Sequence, residues 1–456
     1  MNARKYEIDM IHGPMLPKII SFAVPLMLSS ILQLLFNAVD VVVVGRFAGS
    51  DALAAVGSTS ALINMMINLF IGISVGASVL AAHSYAAGDY SLMGEAVHTA
   101  ILVALISGFG MIFVGFFGAR LSLSLMDTPS DVIDQAVLYM KIYFLGMPFF
   151  MLYNYGAAIL RAVGDTRRPL VILAFSGSVN AVLNLVLVIA FHLGVAGVAI
   201  ATVISQFLSC IFVLRCLIKA DGPYQLFMNR LHINLRCLKQ IFMIGIPSGI
   251  QSCVISFSNV LLQSSVNSFG SVSMAGYTAA NNLLGFLYVS VNANSQAAMS
   301  FASQNLGAGK LRRIDRLVGE GLFLQLILAL LLGSLGLYFG PGLLGIYTSD
   351  PNVVKAGMEI ASITFVPYFL CGFMDLFPGV MRGMGHAFVP MILSVIGTVG
   401  SRVLWILFYF PAHRTLRDLF MCYPVSWGIT FLMQLFCFFF VRRMIWKKYG
   451  SLTLDD

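Results

Sequence analysis

Asp40 is the residue of this sequence most able to do chemistry. It lies in an apolar run over residues 19–44, and Gln33 and Asn37 precede it at helical spacing on the same face. An aspartate at the centre of a membrane helix costs about 2.5–3.5 kcal/mol on insertion scales. Asp40 sits in the outer third of its run, where the cost is lower, and no Lys or Arg lies within a helical turn of it. A partly desolvated carboxylate among neutral amides could carry a proton or coordinate Na⁺ through oxygen ligands. The alternative is a water-exposed carboxylate near the outer mouth.

Four further stripes repeat this pattern of polar side chains on one helix face. Ser60, Asn64 and Asn68 lead into Gly72 and Gly76; Asn180 and Asn184 form a pair; Gln251 accompanies Ser248, Ser252, Ser256, Asn259 and Gln263; and Asn281, beside Asn282, leads to Gly285, Tyr288, Asn292 and Gln296. Polar groups are costly in hydrocarbon, so such faces turn to a wet cavity or to a neighbouring helix. For a single Ser or for Gly72-x-x-x-Gly76, close helix packing suffices. Stripes in corresponding places of two halves predict a shared cavity, with Phe36, Tyr155 and flexible Met side chains as apolar lining for organic cations. Asp375 and Glu359 are further acids within apolar runs. They offer either an ion pair with Arg402 or a second acid site. Lys141 is expected to snorkel to an interface.

The elements that must position these residues are membrane helices. Of 456 residues, 59% are hydrophobic and 10% charged, and the mean hydropathy is +0.90. A soluble chain of this length carries roughly 25% charged residues. Apolar runs long enough to span a bilayer fall at 19–44, 52–78, 94–118, 132–156, 169–190, 195–217, 238–265, 273–299, 317–339, 353–376, 388–410 and 420–441, about twelve helices in an all-α polytopic membrane protein. With both termini placed in the cytoplasm, Lys and Arg crowd the inner loops and tails (Arg4, Lys5, Arg167, Arg168, Lys310, Arg312, Arg313, Lys447 and Lys448 among them), whereas the outer side keeps only Arg46, Arg120, Lys355, Arg414 and Arg417. The net charge of +8 therefore speaks of orientation in a plasma (inner) membrane, not of nucleic acid. The first run is too long for a signal-peptide core and is expected to stay in the protein. Seven scattered cysteines form no CxxC pair and show no metal-ligand spacing, and no metal is expected.

An internal repeat organises the chain. Arg161-Ala-Val-Gly164 followed by Pro169 matches Arg382-Gly-Met-Gly385 followed by Pro390, and the same offset of 221 residues pairs Gly49 with Gly270 and Ala87-Gly88 with Ala308-Gly309. Each half holds an even number of spans, so the halves are parallel repeats with a substrate path between them. The longest polar stretch divides them into lobes 1–222 and 223–456. Asp40 maps onto Leu261, so the carboxylate belongs to one lobe only. Pro25 and Pro247 correspond within one residue. Each removes a backbone hydrogen bond from its helix and is either a hinge or a static kink.

Asn37-Ala-Val-Asp40 running into Gly45, Ala52-Leu-Ala-Ala-Val-Gly57, Arg161-Ala-Val-Gly-Asp-Thr166 and Gly197-Val-Ala-Ile-Ala-Thr202 resemble the motifs of multidrug and toxic compound extrusion (MATE) transporters. The resemblance covers nearly the whole chain. It implies a V-shaped pair of six-helix lobes that exports organic cations and drugs in exchange for H⁺ or Na⁺. In the DinF-like branch it implies a coupling site that falls on Asp40, Asn180, Asn184 and Thr202. Asn184 stands where that branch has Asp, which favours single-proton coupling over a two-acid Na⁺ site. Pro25 fits the first-helix Pro proposed there to bend on protonation. The seventh-helix acid of the NorM-like branch is absent, since residues 238–265 contain no acid. Asp375 lies near that branch's tenth-helix acid, but at a different spacing from Arg382.

Two other classes remain. A flippase for lipid-linked oligosaccharide or cell-wall precursor usually needs basic residues in its cavity, and apart from Arg215, Lys239 and Lys355 at span ends, only Lys141 and Arg402 lie within spans. An intramembrane enzyme needs clustered acids, HExxH or a Ser/His pair. The seven histidines fall almost all at loops or span ends with no such partner, so no enzyme activity and no cofactor are expected. The expected partners are the lipid bilayer and small organic cations, with the protein as a monomer.

Overall fold

A computed structural model of the chain describes residues 6–126, 128–348 and 350–449. Arg4 and Lys5 of the inner-side count lie outside them. The described chain is all helix and turn: α1 (Met15–Phe47), α2 (Ser50–Ala86), α3 (Tyr90–Leu125), α4 (Ile133–Leu145), α5 (Met147–Ala162), α6 (Arg167–Leu185), α7 (Gly194–Ile218), α8 (Leu235–Asn267), α9 (Ser271–Gly307), α10 (Leu311–Tyr338), α11 (Gly340–Gly345), α12 (Pro351–Thr364), α13 (Tyr368–Gly383), α14 (Phe388–Ser394), α15 (Ser401–Leu404), α16 (Leu416–Phe420) and α17 (Cys422–Tyr449). Among the described residues, nine helices are long and apolar enough to cross a membrane, and two bent pairs bring the number to as many as eleven. The eighth run of the sequence, α9, is 37 residues long. Its amides, Asn281, Asn282, Asn292, Asn294 and Gln296 among them, make it the most polar of the long helices and keep it out of the apolar set.

The repeat is written into the helix ends. Helices α2 and α9 are both 37 residues long, and α5 and α13 are both 16 residues long; each pair starts and stops at the same offset of 221 residues. The turns between them carry glycines of positive φ in register: Gly49 at 94° with Gly270 at 89°, Gly88 at 71° with Gly309 at 72°, and Gly164 at 94° with Gly385 at 84°. Only glycine enters that region without a Cβ penalty. At Gly164 the space is closed as well, since an added Cβ would lie 2.6 Å from Ile8 O.

The fourth and tenth runs do not form straight spans. Helices α4 and α5 meet at 48°, and α12 and α13 at 52°. The first bend falls at Gly146, two residues before Pro148, whose missing N–H releases the preceding turn. The second falls at Pro367, the repeat position of Gly146. Residues 219–234 hold one short 3₁₀ turn, Met228–Arg230, and run as a loop with Tyr224 and Leu226 buried. In that loop burial pushes the Tyr224 phenol up to about 12. Lys141 sets its ammonium 4.7 Å from the centre of the Phe116 ring.

Two compact units emerge, and they do not follow the repeat boundary. One comprises residues 1–9 and 28–249, the other 10–27 and 250–456. In the first unit, Glu7 accepts from Tyr85 and Tyr224, each at 2.9 Å. In the second, the start of α1 is held by Phe22 edge-on to Phe301 with ring centroids 5.9 Å apart, by Asn305 donating to Met10 O at 3.2 Å, and by Arg313 donating to Gly13 O at 3.2 Å. Helices α1 and α8 thus each contribute to both units. Pro25 and Pro247, both buried, lie two residues before the last residue that each helix gives to its first unit, Met27 and Gly249.

Candidate functional site

In the first unit α1, α6 and α7 bring Asp40, Asn180, Asn184 and Thr202 together. Helix α6 is held to α7 by Ser209 Oγ, which donates to Ser176 Oγ at 2.7 Å. One residue on, Gly177 has no side chain, and the Phe36 ring of α1 fills the place a Cβ would take. That contact seats α1 on α6 one helical turn before Asp40. Asn180 and Asn184, at i and i+4, then face the carboxylate from one side of α6. A π-helical turn, Val186–Ala190, follows directly. Such turns often mark functional places in membrane helices.

Asn184 Nδ2 donates to Asp40 Oδ1. The Asn180 amide has two useful orientations. With its nitrogen towards Asp40 it donates to Oδ1 at 3.0 Å, and its oxygen accepts from Thr202 N at 3.3 Å. Turned over, its nitrogen faces Thr202 Oγ1 at 3.5 Å and its oxygen accepts from Asn184 at 3.3 Å. Thr202 Oγ1 also donates to Val198 O at 2.9 Å. Asn184 is fully buried, yet among the described residues its Oδ1 has no hydrogen-bond partner. A buried carbonyl left open costs about 1–3 kcal/mol, and this acceptor can take a bond from a proton donor or a cation. Tyr139 and Tyr143 of α4 lie within electrostatic reach of Asp40. Neither stood out in the sequence, where Asp134, Gln135 and Lys141 share their helix and the i, i+4 spacing of the two tyrosines was the one signal.

The other candidate residues are dispersed along their helices. Gln33, Asn37 and Asn64 are exposed and Asn68 is half-buried, whereas Tyr155 is fully buried with its hydroxyl 3.4 Å from Phe70 O. In the second unit Gln251 is buried and donates to Ser394 Oγ at 3.0 Å, so it lies among helix contacts. Ser256, half-buried, donates back to Ser252 O at 3.0 Å, and Asn259 is exposed. On α9, Asn281, Asn282 and Tyr288 are exposed. Asn292 donates to the Tyr288 hydroxyl at 3.4 Å and accepts from Gln296 at 2.7 Å, a ladder along one helix face. Glu359 is exposed on α12, and Asp375 is half-buried on α13. Among the described residues neither is within ion-pair distance of Arg402, so the Asp375 or Glu359 pair with Arg402 is not formed. Arg402 is instead satisfied by Ser426 Oγ at 3.2 Å, Ser258 Oγ at 3.4 Å and Asn259 Oδ1 at 3.1 Å.

Two repeated sets of membrane helices, with a half-buried carboxylate held by two buried amides in one of them, define a polytopic membrane transporter. The MatE family model matches residues 25–186 and 247–406, and the chain belongs to that family. It is 28% identical over 436 residues to the probable multidrug resistance protein YoeA of Bacillus subtilis (strain 168), covering 94% of this chain and 93% of that protein. It is 21% identical to the multidrug export protein MepA of Staphylococcus aureus (strain NCTC 8325 / PS 47), covering 97% and 96%. An outward-facing multidrug resistance MATE family transporter of the MOP superfamily superposes with a TM-score of 0.89 at 20% identity, covering 97% of this chain and 99% of that one.

Proposed function

We propose that the protein is a multidrug exporter that moves organic cations outward in exchange for H⁺, in preference to Na⁺, by alternating access of its two lobes. The observation that carries this reading is the single carboxylate, Asp40, held by two amides with an open acceptor beside it. Ionised, Asp40 accepts N–H bonds from Asn184 and Asn180. Protonated, it becomes a hydroxyl that donates to Asn180 Oδ1 across 3.0 Å, and the Asn180 amide turns so that its nitrogen meets Thr202. One proton thereby changes a bond between α6 and α7. Drug binding that favours the other arrangement then couples the two, because coupling free energies are reciprocal. Pro25 and Pro247 are the hinges in this reading, since each stands where its helix passes from one compact unit to the other. Both termini are placed in the cytoplasm by the charge count, and the chain acts as a monomer.

The test is transport by purified protein in proteoliposomes loaded with ethidium. A pH gradient should drive efflux, and a Na⁺ gradient alone should not. Drive by Na⁺ alone would overturn the proton assignment. Asn184→Asp extends the test. It sets a second carboxylate against Asp40, and two such groups in contact cannot both ionise without a cation between them. Na⁺ should then accelerate ethidium efflux, as measured by the initial rate with and without Na⁺; indifference to Na⁺ would count against a site built around Asp40 and residue 184.

A further inference from the structure

Residues 219–234 connect the two repeats, and the end of this connector is bonded to the start of α3 within the first unit. Glu7 accepts from Tyr224 of the connector at 2.9 Å, so the connector lies on the N-terminal side of the membrane, the cytoplasmic side in the charge count. Its last residue, Asn234, caps α8: the side-chain Oδ1 accepts from Arg236 N at 2.9 Å and from Cys237 N at 3.2 Å. The backbone N–H of Asn234 donates to Thr99 Oγ1 at 3.0 Å, and its Nδ2 donates to Glu95 Oε2 at 3.3 Å. The same Glu95 oxygen accepts from His232 Nε2 at 2.5 Å. One carboxylate of α3 therefore grips both the connector and the first turn of α8, the helix that carries Pro247.

Two stacked histidines in this cluster make opposite demands for protons. The rings of His98 and His232 have centroids 6.3 Å apart and planes 20° apart. His98, 6% exposed, donates from Nδ1 to Gly94 O at 2.6 Å, and its Nε2 accepts from Phe227 N at 3.2 Å. Both bonds form only in a neutral ring. His232 meets an acceptor at each nitrogen, Arg230 O at 2.8 Å from Nδ1 and Glu95 at Nε2. Both of its bonds form only in an imidazolium. The Arg230 carbonyl, and after it the Glu95 carboxylate, raise the His232 pKa above its ordinary value of 6.5. The contribution of His232 to docking is thus fully present below that value and is lost as the pH climbs through the raised one. The other charged groups about the cluster are the Arg230 guanidinium, 5.3 Å from the centre of the Phe227 ring, and Asp89 and Arg236, which act on Cys237 of α8 together with Glu95. An isolated exposed ion pair contributes little and sets no protonation state on a neighbour. Here the charge of one ring is matched to the neutrality of the ring stacked on it.

We propose that His98, His232 and Glu95 form a proton-dependent latch: it docks the connector and the first turn of α8 on α3, and it releases them as the pH on that side of the membrane rises, which loosens the root of the helix that carries Pro247. The latch involves neither Asp40 nor a drug, so it is read on the resting protein. The test is hydrogen exchange of the purified protein, followed by mass spectrometry at pH 6.5 and 8.5, with the intrinsic pH dependence of exchange divided out. The reporters are the N–H groups of Phe227, Asn234, Arg236 and Cys237, which donate to His98, Thr99 and the Asn234 cap. In wild type their protection should fall about two- to fivefold at the higher pH, the scale of one exposed ion pair. Ile8 N, bonded to Gly164 O at 3.3 Å in the same unit, is the control and should hold its protection. His232→Gln keeps a donor for one partner but cannot become a cation. Its protection should sit near the wild-type pH 8.5 level at both pH values. A merely structural role for His232 would lower protection at both and keep the wild-type ratio. Glu95→Gln removes the charge that favours the imidazolium and should flatten the profile as well. Equal protection at the two pH values in wild type, an undiminished ratio in His232→Gln or Glu95→Gln, or an equal response at Ile8 overturns the latch. None of these results bears on whether the protein exports drugs, so the exporter reading stands or falls on its own test.

Discussion

Asp40→Asn should abolish pH-driven ethidium efflux while the protein still reaches the membrane. The substitution replaces a group that can gain and lose a proton with one of the same size that cannot. It keeps an oxygen to accept from Asn184, so the contact between α1 and α6 survives. Asp40→Ala would instead strip the partner from two buried amides, at about 1–3 kcal/mol for each open donor, and would confuse folding with coupling. The initial efflux rate under a pH gradient should fall to the leak rate of the liposomes. Ethidium binding should persist, since the drug need not touch the carboxylate. Wild-type efflux in this variant would sink the coupling role of Asp40 and turn attention to Asp375, which sits half-buried on α13 without a salt bridge among the described residues.

The parts of this site legible in the sequence were those that cost free energy to keep. Asp40, Asn180 and Asn184 stand out because amides and a carboxylate are expensive in apolar runs, and helical spacing puts them on defined faces. The repeat is readable for a related reason: Gly49, Gly164, Gly270 and Gly385 occupy backbone conformations that other residues rarely adopt. Spacing along one helix says nothing of distance to another, and so the sequence could not choose between an ion pair with Arg402 and a second acid site for Asp375 and Glu359; the ion pair is the alternative that does not form among the described residues. The bends at Gly146 and Pro367 were marked by Gly and Pro, but the uninterrupted hydropathy of 132–156 and 353–376 reads as one straight span. Hydropathy is blind to backbone direction. Nor does any local signal assign residues 10–27 to the second unit, because that depends on Phe22 meeting Phe301, 279 positions later in the chain. The π turns around Arg402, Val395–Gly400 and Trp405–Tyr409, are likewise set by tertiary packing and leave no compositional mark.

Gly76→Leu should prevent the first unit from packing, and Gly76→Ala should weaken it measurably. Helices α2 and α8 touch through glycines from both sides. A Cβ on Gly76 would coincide with Ile241 O, and one on Gly72 with the backbone of Gly249. In return a Cβ on Gly245 would lie 2.5 Å from Ile73 Cα, and one on Gly249 2.5 Å from Leu69 O. Backbone cannot rotate away as a side chain can, so any Cβ must push the two helices apart along their length. Helix association in a bilayer has no hydrophobic drive of its own and depends on this close van der Waals contact. Separation of an ångström forfeits a quarter to a half of each dispersion well. Overpacking costs about 1–3 kcal/mol at an ordinary core position, and here the obstacle is main chain, so Gly76→Ala belongs at the upper end. Its thermal midpoint in detergent, followed by the loss of the monodisperse chromatographic peak, should fall by several degrees, and Gly76→Leu should give no such peak. Gly110→Ala on α3 is the control. Nothing lies within 4 Å of its added Cβ, and replacing an unconstrained helical glycine stabilises by about 0.4–1 kcal/mol. Its midpoint should hold or rise. If Gly76→Ala matched that control, the α2–α8 contact would not be a close glycine interface, and Gly72-x-x-x-Gly76 would have to face something softer than backbone.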